Sequence, residues 1–226
     1  MLDRAVSYFE PFALLVALVP MIGYLMLLGS IRLSGLALIT TGGRDLAALA
    51  MAISGLIVVG PAELFFPTAA ATAFGPLVWL ILAVFYALCV TLVALASKPK
   101  LVIYGRTPEE IFPALVQAAE QLDADAVSNR EQLQIHLPNA KVHLLAAGHH
   151  KLDYTQITTF EPMVSSAFWS QLLALLRGHV ARTPKTSPRN GYGMLLMAVL
   201  LACLLFWQGF EKQTLVVEGF RNWLWR

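Results

Sequence analysis

Charge is what this sequence has least of: Asp, Glu, Lys and Arg make up 13% of its 226 residues, against about 25% in an ordinary soluble domain. Hydrophobic residues reach 58% and mean hydropathy is +0.66. A soluble single-domain enzyme is therefore excluded, and lipid is expected as much of the solvent. Cysteine is almost missing as well. The two present rule out a disulfide framework and any cysteine-rich zinc module. A net charge of +2 is too small for a nucleic-acid footprint, so no nucleic-acid partner is expected. The chain also lacks a nucleophile elbow, a phosphate loop, an HExxH helix and a paired-carboxylate motif. No cofactor is expected.

What is present is length without charge. A helix needs about 20 mostly apolar residues to cross about 30 Å of hydrocarbon. Stretches free of Asp, Glu, Lys and Arg run over 11–31, 46–62, 64–97 and 190–210. The third is too long for one span and carries Pro67 and Gly75-Pro76, so it divides into a short connection and a helix. The reading is a membrane all-α bundle of four transmembrane helices, at about 11–31, 45–66, 77–97 and 193–210. The leader before the first holds Asp3 and Glu10 against a single Arg4, and no small-x-small site follows Leu28. It reads as a retained anchor, not a cleaved signal peptide.

Basic residues set the expected orientation. Arg32 and Arg44 lie between the first two helices, Lys98, Lys100 and Arg106 follow the third, and Arg177, Arg182, Lys185 and Arg189 precede the fourth. The connection at 65–76 has none. Residues 98–192 are thus expected in the cytoplasm, with both termini on the opposite side.

Residues 98–182 differ in composition from their flanks and read as a small α+β cytoplasmic domain inserted between the third and fourth helices. LVIYG at 101–105 is a short buried strand. Thr107-Pro108-Glu109-Glu110 is a helix start, with Pro at N1 and Glu110 placed for a capping box. Two alternating runs, 131–137 and 141–147, flank Pro138-Asn139-Ala140 and predict a hairpin. YTQITTF at 154–160 adds a strand, and a second helix follows Pro162. The expected order is β-α-β-β-β-α. Residues 183–192 form a basic Pro/Gly linker, and 211–226 an external amphipathic tail ending in an aromatic anchor, Trp223-Leu224-Trp225.

Candidate sites are few. Glu63, two residues after the helix-breaking Pro61, is the one clear intramembrane acid; it either snorkels to the outer interface, makes a structural polar contact, or serves transport. Ala48, Ala52, Gly55 and Val59 recur at helical spacing and suit close backbone approach, inside the bundle before any dimer face. His136 and His143 become cross-strand partners if the hairpin loop is even. They are weak metal candidates, because a typical site needs a third or fourth ligand; no metal site is expected. His149 and His150 lie nearby in sequence. Cys89 and Cys203 read as packed thiols at different depths. Finally, Trp169, Leu173 and Val180 widen the apolar surface of the second domain helix beyond one stripe. A helix apolar nearly all round needs cover on two sides, which makes these three the expected interaction face.

The resulting expectation is a non-catalytic integral membrane interaction or assembly subunit. Its partners are the lipid bilayer and a protein, or a second copy, bound through the cytoplasmic domain. The alternatives are an oligomeric channel or transporter component using Glu63, and a lipid-acting membrane enzyme with His136 and His143 as acid and base.

Overall fold

A computed structural model describes residues 11–62, 75, 77–149, 153–161, 164–182 and 191–225. The chain runs α1 (Pro11–Ser34), β1 (Leu38–Thr41), α2 (Gly42–Ile57), α3 (Leu77–Ala96), β2 (Leu101–Tyr104), α4 (Pro108–Leu122), β3 (Val127–Asn129), β4 (Gln134–Leu137), β5 (Val142–His149), β6 (Tyr154–Thr159), α5 (Ser166–Arg182), α6 (Tyr192–Glu211) and α7 (Gln213–Trp225). A π-helical turn, Val58–Ala62, continues α2. Among the described residues four helices are long and apolar enough to cross a membrane: α1, α2 with its continuation to Gly60, α3 and α6. Two compact units result, one of residues 1–27, 47–93 and 193–226, the other of 28–46 and 94–192.

The first unit is helical. Where its helices meet, small residues make the contact. A Cβ at Gly55 of α2 would run into the Val16 carbonyl of α1, so only glycine permits the approach seen there. Ala17, Ala50 and Ala52 are buried around it. The Tyr86 hydroxyl of α3 donates to the Ala50 carbonyl at 2.7 Å. The tail forms α7, whose Phe220 meets Phe12 of α1 edge to face at 5.8 Å between ring centroids.

The second unit is an antiparallel sheet of order β1-β2-β6-β5-β4-β3. Helices α4 and α5 cover one face. Alternation explains why: Ile135, Leu137, Val142, Leu144, Ala146 and Ile157 point to that side and form the core with Ile111 and Leu115 of α4 and Leu172 and Leu176 of α5. Helix α4 starts as its sequence demands, with Thr107 at the N-cap and Glu110 accepting from the Thr107 amide at 3.1 Å. Its other end is tied to the hairpin through the buried Asp123, which accepts from the Asn139 amide at 2.8 Å and the Asn139 side chain at 2.7 Å. Burial works to raise this carboxyl, but its hydrogen bonds with Asn139, Asp125 and Ala140 outweigh it and hold Asp123 below the usual carboxylate range.

The observed order corrects the expected β-α-β-β-β-α in two places. The exposed β3 pairs with β4 before the hairpin. More consequential is β1, which comes from the connection between the first two long helices and pairs along its whole length with β2, Leu38 opposite Tyr104 and Thr41 opposite Leu101. Four apolar or β-branched residues bounded by Gly35 and Gly42-Gly43 form a strand here because β2 offers an unpaired edge. Residues 28–46 thus belong to the same compact unit as 94–192, which the reading of one uninterrupted domain over 98–182 does not contain. The linker at 183–190 and the connection at 63–74 lie outside the described residues.

Candidate functional site

The two histidines named from the hairpin do face each other. His136 and His143 are directly opposed in the β4–β5 ladder, and their rings stack with centroids 4.1 Å apart. The His143 ring nitrogen Nδ1 lies 2.7 Å from Glu161 Oε1, and the His143 amide donates to the same carboxylate at 3.0 Å. Burial pushes the Glu161 carboxyl up, yet these hydrogen bonds with His143 bring it below the usual carboxylate range. The Nδ1 of His136 is buried without a partner. Among the described residues no three His, Cys, Asp or Glu side chains converge as metal ligands.

These rings belong to a longer row on the sheet face opposite α4 and α5. Val127 pairs with His136, His136 with His143, and the Phe160 amide donates to the His143 carbonyl at 3.4 Å. The Phe160 ring meets His143 edge-on at 6.4 Å. Val127 and Phe160, the two ends of the row, are 62% and 59% exposed. Sequence reading found the histidines and missed the row, because Val127 belongs to a strand of only three residues and Phe160 follows the end of β6.

The expected interaction face on α5 is placed otherwise. Trp169 is 7% exposed and belongs to the domain's core cluster, while Leu173 and Val180 are half-buried against it. Serine, glutamine and small residues, among them Ser166, Ser170, Gln171 and Ala174, occupy the exposed strip of α5. The second cover that its wide apolar surface required comes from within the α+β unit. There Trp169 and Leu173 form one wall of a recess of about 590 Å3, completed by segments 41–44 and 94–101.

Among the described residues three cations reach that recess, Arg44, Lys98 and Lys100, and no Asp or Glu lines it. In the sequence they served only as markers of orientation, since Arg44 and Lys98 are far apart along the chain. The start of α2 supplies Gly42 and Gly43, and the start of α5 supplies Ser166. Thr41 caps α2, its Oγ1 accepting from the Arg44 amide at 3.5 Å. A Cβ on Gly42 would come within 2.7 Å of Lys100 Cγ, so glycine there lets the lysine stem lie across the helix end.

Among the remaining candidates, Ala52 and Gly55 pack within the helical unit, whereas Ala48 is exposed. Pro61 lies in the π-helical turn, where its missing N–H interrupts the regular ladder. Glu63 lies outside the described residues, as do His150 and the side chains of His149, Trp223 and Trp225. Cys89 and Cys203 are free and exposed.

Comparison with known protein families, curated proteins and solved structures finds no match to this chain.

Proposed function

We propose that this protein is a non-catalytic interaction or assembly subunit of a membrane, anchored by its four long apolar helices and binding a protein partner through the α+β unit. The observation that carries the reading is the row Val127–His136–His143–Phe160. A sheet face left free by its helices is ordinarily polar. Here four neighbouring positions present aliphatic and aromatic surface instead, with the exposed β3 at the sheet edge. Such a patch is the kind of surface at which protein contacts concentrate their energy. Residues 98–192 are assigned to the cytoplasm, with both termini on the opposite side. The pairing of β1 with β2 supports this, since it keeps the basic residues around Arg32 and Arg44 on the same side as Lys98 and Lys100.

A photo-crosslinking residue placed at Phe160 in the membrane-embedded full chain tests the proposal. One discrete protein adduct is expected, either a second copy or another subunit, and it should disappear with Val127→Ser. Adducts no stronger than those from the same probe at Arg130, on the exposed turn beside β3, would overturn it.

A further inference from the structure

The geometry points to the recess between the starts of α2 and α5 as a binding site for the phosphate of an anionic phospholipid. It shares no residue with the sheet-face row and goes beyond the interaction reading.

The electrostatics of the recess are one-sided. A helix N-terminus carries roughly half a positive charge and a set of amides without intrahelical acceptors. Both α2, at Gly42 and Gly43, and α5, at Ser166, begin in its walls. A first turn ordinarily favours acids, yet Arg44 stands in the first turn of α2 and Lys100 is laid across Gly42. The Lys100 position is fixed twice, because its carbonyl also accepts from the Gly42 amide at 2.8 Å. Asp45, the acid of that turn, is engaged by the Tyr104 hydroxyl at 2.6 Å. The C-terminal end of α3 accounts for Lys98, but Arg44 and Lys100 sit at a positive helix end with no carboxylate in the recess walls. An anion is the partner that removes this conflict.

A second observation is independent of charge. Trp169, a residue of the recess wall, is 7% exposed, and its indole Nε1 is buried without a hydrogen-bond partner. A buried donor left unpaired is destabilising, and an acceptor brought to this wall is what it lacks. The remaining walls choose between a free anion and a lipid. Ala94 and Leu95, from the last turn of the apolar helix α3, face the same space together with Val164 and Leu173. Cations, helix ends and hydrocarbon in one lining match a phosphate joined to a glycerol and its acyl chains. The volume of about 590 Å3 is within the usual range for small-ligand sites.

Native mass spectrometry of the full chain in neutral detergent provides the test, with short-chain phosphatidic acid, phosphatidylcholine of the same chains and inorganic phosphate as probes. Phosphatidic acid should be retained at least about tenfold better than phosphatidylcholine or inorganic phosphate. Arg44→Gln with Lys100→Gln should remove about tenfold of that affinity, the size expected for lost charge-assisted hydrogen bonds. Trp169→Phe, which keeps an aromatic ring and deletes the donor, should weaken binding several-fold at a modest cost in thermal stability, since the side chain belongs to the core. Equal retention of the two lipids, or inorganic phosphate binding as well as phosphatidic acid, would overturn the proposal. So would an equal loss from Lys141→Gln, which lies on the hairpin outside the recess and reports general charge attraction only.

Discussion

Leucine is treated in opposite ways by the two units. In the α+β unit Leu115, Leu137, Leu144 and Leu176 are 0% exposed, whereas on α3 Leu80, Leu88 and Leu92 are turned outward with 61%, 62% and 68% of their surface exposed. The α+β unit is assembled by removing apolar surface from water, at about 25 cal/mol per Å2. The helical unit has no such drive if lipid surrounds it, because a leucine gains nothing by leaving one hydrocarbon for another. Its contacts are made instead by Gly55, Ala52 and Ala50, which let backbones approach, and by the Tyr86 hydroxyl on a backbone carbonyl. The same residue type therefore reports stability in one unit and solvent in the other.

The sharpest way to break this contrast is a matched pair of truncations. Leu144→Ala should destabilise the α+β unit by about 2–5 kcal/mol, the cost of a cavity in a filled core. Leu88→Ala should change stability by no more than about 0.5 kcal/mol. Hydrogen exchange of the β4–β5 amides and thermal melting in detergent would measure the two. An equal cost at Leu88 would show that α3 is buried against protein on that side.

A smaller effect is expected from adding one methyl group to the helical unit. Gly55→Ala forces α1 and α2 apart at Val16 and should cost about 1–3 kcal/mol, as overpacking does. Gly23→Ala, which meets open space, should be neutral or slightly stabilising, since alanine is the better helix former. Comparison of melting temperatures in one detergent checks both; identical shifts would remove the case for a close helix contact at Gly55.

The smallest effect separates the units by pH. Asp123 has its carboxyl held below the ordinary range in the folded state, so its contribution is complete above the unfolded value of about 4. It is lost as pH falls through the depressed folded value. Asp123→Asn should therefore melt below wild type at pH 6, and the gap should narrow as pH falls to 3. A gap constant across that range would show that the Asn139 contacts act without the charge.

What could be read from the sequence was whatever its neighbours along the chain decide. The capping box at Thr107 and Glu110, the opposition of His136 to His143 and the four long apolar helices each depend on spacing within one or two elements. The features that escaped depend on distant pairing. Leu38–Thr41 reads only as part of the connection between the first two apolar helices until β2 is placed beside it. Trp169 looks surplus until the segments around Gly42 and Lys100 cover it. Arg44 and Lys98 are 54 positions apart, and only the sheet joins them in one recess.

The pairing of β1 with β2 also sets an order of events during synthesis. β1 leaves the ribosome with the first long apolar helix, but its partner strand is made only after the second and third helices. At about 5–20 residues per second it waits for seconds with a bare hydrogen-bonding edge. If the four long helices span a bilayer as proposed, its wait ends correctly only when the two intervening helices behave alike, since a single missed crossing leaves the two strands on opposite sides. Under that topology, completion of the sheet reports on insertion: a chain with one missed crossing leaves β1 unpaired and β2 as the bare edge in its place.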